Sequence, residues 1–391
     1  MASPLICFFL SGEEKQVLPG SRLWKLPLSG KGMDSSSDIP CDPIPREPVI
    51  TIGDYFSAAG RFLSENDFSI LKTGIEALVK QPVLTDQIDR ISVFLEKHGA
   101  FYHPLKIQVA VHGSSPCSFV LNGAISIPGL ALIEKEYHLI SGLNITYANR
   151  YLPLVFGVDV IKTEKGKIGF FLGEWFDGYK EFHATVDQGT RQIVIWESDG
   201  TGHTISETNA LPIYQEISRI LTYYYDLETF EQIFPWHHAA GDFIVRQKAD
   251  TMSVRMITVR GYAPLTEFSA ADSDKKANIL PSLMFFCLNL TLRMRLDRLN
   301  GTGQDVMLGD KTIPAVVHGF LQALDEKSMV YDYGELRVSF LAFVRQFSLE
   351  QMMGLMAAIL DSHHPVPAEM RLIEKMLVSH CTILHAVFKS L

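Results

Sequence analysis

At 391 residues the chain has room for two or three domains, or for a two-lobed fold with an appendage. A hydrophobic content of 47% against 20% charged residues supports sizeable cores and excludes a wholly disordered chain. The formal net charge of −9, with no dense basic block, argues against nucleic acid as a partner, because phosphate backbones need clustered Lys and Arg. 

The five cysteines, Cys7, Cys41, Cys117, Cys287 and Cys381, lie far apart. None forms a CxxC pair, so neither a zinc ribbon nor a disulfide framework is indicated, and a reducing compartment fits. The apolar run at 5–10 is too short for a secretory core and lacks a basic flank. Other apolar runs are broken by charge before the roughly 20 residues a membrane helix needs. The expectation is a cytoplasmic protein with no membrane partner.

Residues 1–48 are poorly patterned, with linker-like Ser/Gly and Pro clusters at 29–37 and 40–45 and a candidate edge strand at 5–10. Helical spacing then predicts three helices between 49 and 103. Ile52, Tyr55, Phe56, Ala59 and Phe62 form one face, and Phe68, Leu71, Ile75, Leu78 and Val79 a second. Ile88, Ile91, Phe94 and Leu95 form the third. Thr51 and Asp54 stand in capping-box spacing.

Alternation predicts strands at 105–111 and 118–125, a helix at 132–143, and further strands at 151–157 and 168–173. A connector at 173–178 leads to a hairpin near 182–186 and 192–196. From Leu211 the pattern is mainly helical, with predicted helices at 280–299 and 313–324 and across most of 335–391. Ser348 and Gln351 form a second capping box, and Pro365 and Pro367 separate two helices. One hairpin interrupts this region: Asp242 stands at its mouth, after His237 and His238, and Arg260 follows its second run.

A small strand-rich lobe with one inserted helix, a connector, and a larger helical lobe with an Asp-led hairpin resembles the protein-kinase-like fold. Within it, the order is similar to the aminoglycoside phosphotransferase and choline kinase branch. Residues 133–140 and 151–157 look like the lobe-crossing helix and the strand after it, which makes Glu136 the interlobe carboxylate. Residues 170–178 are similar to the interlobe hinge, so Glu174, Trp175 and Phe176 would border an adenine. Residues 238–242 stand where the family has its His-Gly-Asp loop, giving Asp242 the role of catalytic base and His238 that of an orienting residue.

Against the resemblance stand several departures. Phosphoryl transfer needs a Lys on the phosphates and acidic or amide groups on Mg²⁺. The strand position expected to carry the Lys is Asn122, with Lys106 on the neighbouring strand as the nearby substitute. The metal-binding amide falls on Gln247 and the second metal-binding acid on Val259 or Arg260. An arginine there repels the ion and would pair with phosphate or with Asp242. The plainer readings are a turn-forming Asp242 and a structural His238.

The resemblance therefore implies an α+β fold with two kinase-like lobes, a helical N-terminal extension and a helical C-terminal tail. The divisions expected are 1–48, 49–103, 104–173, 174–334 and 335–391. It implies a degenerate, pseudokinase-like member that binds a nucleotide or other anionic ligand in the interlobe cleft or serves as a scaffold. ATP is the candidate cofactor, Mg²⁺ is disfavoured, and no metal ligand set is assigned. The alternatives are an active small-molecule phosphotransferase with Asp242 as base, and a helical interaction protein with no ligand. 

Overall fold

The computed structural model describes residues 4–13, 15–28, 49–96, 101–197, 200–236, 238–248, 251–265, 275–363 and 367–391. The linker-like clusters at 29–37 and 40–45, and His237, lie outside the described residues. The chain is mixed α+β and divides into two compact units, Met1–Asp177 and Gly178–Leu391. 

The first unit runs β1 (Leu5–Leu10), α1 (Ile52–Val79), β2 (Ile88–Leu95), β3 (Leu105–Val111), β4 (Cys117–Ala124), α2 (Ile127–Thr146), β5 (Val155–Thr163) and β6 (Gly166–Glu174). Its strands make one sheet in the order β1-β2-β3-β4-β6-β5, with β1 parallel to β2 and the other pairs antiparallel. Side chains alternate across a strand, and β6 uses both faces. Phe170 meets Tyr55 and Phe62 of α1, while Phe171 joins a cluster with Ala124 and Ile133 of α2. The two helices thus cover opposite faces of one sheet. 

Helix α1 starts at the Thr51–Asp54 capping box: Asp54 N–H donates to Thr51 Oγ1 and Thr51 N–H to Asp54 Oδ2. Its backbone leaves helical angles at Glu65–Phe68, so the first two apolar faces belong to two pieces of one kinked helix. The third expected helix is a strand. A bulge between Ile88 and Arg90 delays the alternation by one residue, and Ile88, Ile91, Val93 and Leu95 all reach the core under α1. That bulge produces a step of three, which mimics helical spacing. Residues 49–103 are accordingly no separate helical segment, because α1 covers the sheet and β2 lies inside it. Strand β5 also begins at Val155, later than expected, beyond Pro153. 

The second unit begins with a three-stranded sheet of β7 (Phe182–Asp187), β8 (Thr190–Trp196) and β9 (Gly202–Ser206). It continues through α3 (Glu207–Tyr223), β10 (Glu231–Ile233), α4 (Ala239–Asp242), β11 (Phe243–Lys248), β12 (Thr251–Met256) and β13 (Tyr262–Pro264). Then follow α5 (Lys275–Arg293), β14 (Leu296–Arg298), β15 (Asp305–Met307), α6 (Thr312–Ser328), α7 (Leu336–Val344), α8 (Leu349–His363) and α9 (Pro367–Ser390). 

The helix expected across 280–299 ends at Arg293. Asp297 explains the early end: its carboxylate accepts the N–H groups of Ala184 and Arg298, which draws the chain into a short strand beside β7. Helices α3 and α6 pack closely, since a Cβ on Gly319 would fall 1.9 Å from the Gln215 carbonyl oxygen. Lys327 closes the same interface. Its Nζ donates to the Tyr223 and Tyr225 carbonyls at the end of α3, and burial brings its pKa down to about 8. No helix among the described residues is long and apolar enough to cross a membrane. 

Candidate functional site

In the first unit, Glu136 is buried on α2, only 1% exposed. A buried carboxylate must find donors, and the Tyr102 hydroxyl donates to Glu136 Oε2 at 2.6 Å. Asn122 pairs with Phe171 in the β4–β6 ladder, two residues from Ala124 and so on the face that α2 covers. It brings an amide, not a cation, to that face. Lys106 is placed elsewhere: its Nζ lies 3.9 Å from Asp177 Oδ1 and 4.8 Å from the centre of the Trp175 ring. 

The expected adenine-bordering residues are held mainly by backbone. Glu174 N–H donates to the Leu154 carbonyl at 2.8 Å, and its carboxylate accepts Leu154 N–H at 3.2 Å. Trp175 N–H reaches the Ser118 carbonyl at 3.4 Å, a long bond, and Trp175 and Phe176 are both partly buried. Glu174 therefore fastens β6 to the segment before β5, and Trp175 offers Lys106 an aromatic face. 

In the second unit, Asp242 closes the four-residue α4 and β11 starts at the next residue. The Ile257 N–H donates to the Asp242 carbonyl at 3.0 Å, which brings the chain after β12 back beside α4. Arg260 consequently meets Asp242, with Nη1 2.6 Å from Oδ1. Asp242 is 1% exposed, so this is a charge-assisted contact on a buried carboxylate. Val259, the other position expected for a metal-binding acid, is fully buried and apolar. Gln247 lies within β11 opposite Met252, on an exposed part of the strand. The arrangement therefore offers a fixed cation at Asp242 and no acid at either expected metal position. 

His238 precedes α4, and its carbonyl accepts Gly241 N–H at 3.1 Å. Its ring also reaches α9, where Nε2 lies 3.3 Å from Glu369 Oε1. 

Sequence reasoning missed four residues here. Tyr102 left no signal, being a loop residue 34 positions from Glu136. Arg246 and Arg255 could have been found from hairpin register, whereas Tyr179 lies outside that hairpin. Arg246 faces Ser253 across the β11–β12 ladder and Arg255 faces Ile244, so both arginines share one face. Their guanidinium carbons stand 4.5 Å and 5.6 Å from the centre of the Tyr179 ring. Arg246 Nε is buried without a hydrogen-bond partner among the described residues. Two guanidiniums close to one aromatic ring can accept a multivalent anion. 

Comparison with protein-family models and with curated proteins finds no match. Among solved structures, a match described as the structure of the Drosophila melanogaster PAN3 pseudokinase covers 79% of this chain and 69% of that one. Its TM-score is 0.30 at 9% sequence identity, a similarity too low to carry an argument.

Proposed function

We propose that the chain is a degenerate kinase-like protein that binds an anionic ligand and does not perform ordinary Mg²⁺-dependent phosphotransfer from ATP. The observation that carries this reading is the Arg260–Asp242 contact at 2.6 Å. In a phosphotransferase the carboxylates around the reacting phosphoryl group hold Mg²⁺ or accept a proton. Here the carboxylate in that place in the chain is held by a guanidinium, which repels a divalent cation and attracts phosphate oxygens. Asn122 and the Tyr102–Glu136 hydrogen bond point the same way, since no lysine stands at either position. The order of elements favours the aminoglycoside phosphotransferase and choline kinase branch. A reducing, cytoplasmic setting fits the four described cysteines, which are all free and buried. 

Arg246 and Arg255 over Tyr179 supply the anion-binding groups, and nucleotides are the first ligand class to examine. A ligand that binds only the native state raises its melting temperature. With pyrophosphate or ATP in the presence of EDTA, at about a hundredfold over Kd, a rise of roughly 5–10 °C is expected. Arg246→Gln and Arg255→Gln should each reduce that rise. No rise with either anion, or an undiminished rise in both variants, would overturn the assignment.

A further inference from the structure

We infer that His238, Asp305 and Glu369 form a divalent-cation site in the second unit, of the Zn²⁺ class. Each offers one ligand atom, and the three atoms lie within 4.8 Å of one another. His238 and Glu369 are 7% and 2% exposed. One imidazole nitrogen and two carboxylate oxygens form a donor set that suits a borderline ion such as Zn²⁺ better than Mg²⁺, which prefers oxygen alone and retains its water. 

One of the three separations has the tetrahedral value, and all three lie within 4.8 Å. Tetrahedral bonds of about 2.0 Å place neighbouring ligand atoms roughly 3.3 Å apart. His238 Nε2 and Glu369 Oε1 stand 3.3 Å apart. Three protein ligands leave the fourth position for water. The donors come from three separate segments: the residue before α4, the start of β15 and the first turn of α9. A bound ion would therefore join parts of the chain that are distant in sequence. 

Two arginines bear on the carboxylates. Arg298 Nε donates to Asp305 Oδ1 at 3.0 Å, and the charge of Glu369 acts on the largely buried Arg293. An outer hydrogen-bond partner such as Arg298 orients a metal ligand. The two arginines also offset the negative charges of Asp305 and Glu369 when no ion is bound.

The full chain, stripped with chelator, should take up about one equivalent of Zn²⁺ or Co²⁺ and hold it through gel filtration. The Co²⁺ form should show the intense visible bands of a tetrahedral site. Saturation should raise the melting temperature by roughly 5–10 °C. Asp305→Asn, at a partly exposed strand position, and His238→Gln should each lose the equivalent and the bands while keeping the wild-type circular dichroism spectrum. Failure of the wild-type chain to retain metal, or equal retention by a folded Asp305→Asn chain, would overturn the site.

Discussion

Replacing Arg260 by alanine should destabilise the chain by about 3 kcal/mol, measured by urea unfolding. Two facts set that size. Asp242 is 2% exposed at its side chain, and Arg260 itself is 23% exposed, so solvent screens their contact only weakly. Removing one partner of a buried pair leaves a charge that was desolvated on folding, and such losses exceed the loss of a surface ion pair several-fold. Asp242→Asn should cost less, because an amide at the same place keeps an acceptor for the guanidinium and carries no charge. Equal losses for the two substitutions, or a loss below about 1 kcal/mol for Arg260→Ala, would mean that the contact is peripheral. 

A second large effect is expected on acidification, from His380. This ring is fully buried between α5 and its surroundings on α9. Arg295 Nη1 lies 3.2 Å from Nδ1 and Thr291 Oγ1 lies 3.3 Å from Nε2. A guanidinium has only donors, so Nδ1 accepts and the proton of the neutral ring sits on Nε2. Burial first, and the Arg295 charge second, bring the His380 pKa down to about 3. Asp310, which accepts from Arg295 Nη2 at 2.7 Å, is the nearest acid that moderates this charge. 

The sign follows from proton binding. Between pH 6.5 and 3 the unfolded chain holds a proton on this ring and the folded chain does not. The stability contributed by neutral His380 is thus complete above pH 6.5 and is lost progressively as pH falls toward 3. A difference of this size amounts to about 4–5 kcal/mol over the whole interval. His380→Gln keeps an acceptor and a donor but cannot titrate. Its stability should therefore fall less steeply than wild type between pH 6.5 and 4, by about 1 kcal/mol per pH unit. Parallel curves would show that His380 is protonated in the folded chain.

Much of the local structure was legible because single strands and helices carry their own periodicity. β3 alternates cleanly, α2 and α6 show helical spacing, and the capping residues Thr51, Asp54, Ser348 and Gln351 make the hydrogen bonds their spacing implies. The errors arose where a non-local interaction overrode that periodicity. The bulge in β2 turned a strand into an apparent helix, and the Asp297 carboxylate ended α5 six residues before the expected limit. β9 has four exposed residues in five and thus little alternation to read. 

The site divides in the same way. Asp242 and Arg260 are joined by one hairpin, and a return of this length places them together by simple counting. Glu369 and Asp305 stand in α9 and β15, far from His238 in sequence, and only the packing of helices against the β14–β15 ribbon unites them. Tyr102 meets Glu136 for a similar reason: a loop residue has no periodicity that would aim its side chain at a helix. 

The central claim is that a guanidinium has taken the place of a metal ion. Its most direct test is calorimetric titration of ATP into the full chain, in EDTA and again in excess Mg²⁺, with phosphate and ADP release followed in parallel. The account predicts a Kd that is no tighter with Mg²⁺ than with EDTA, and no release above the rate in buffer alone. Binding that requires Mg²⁺, accompanied by turnover that Asp242→Asn abolishes, would contradict it.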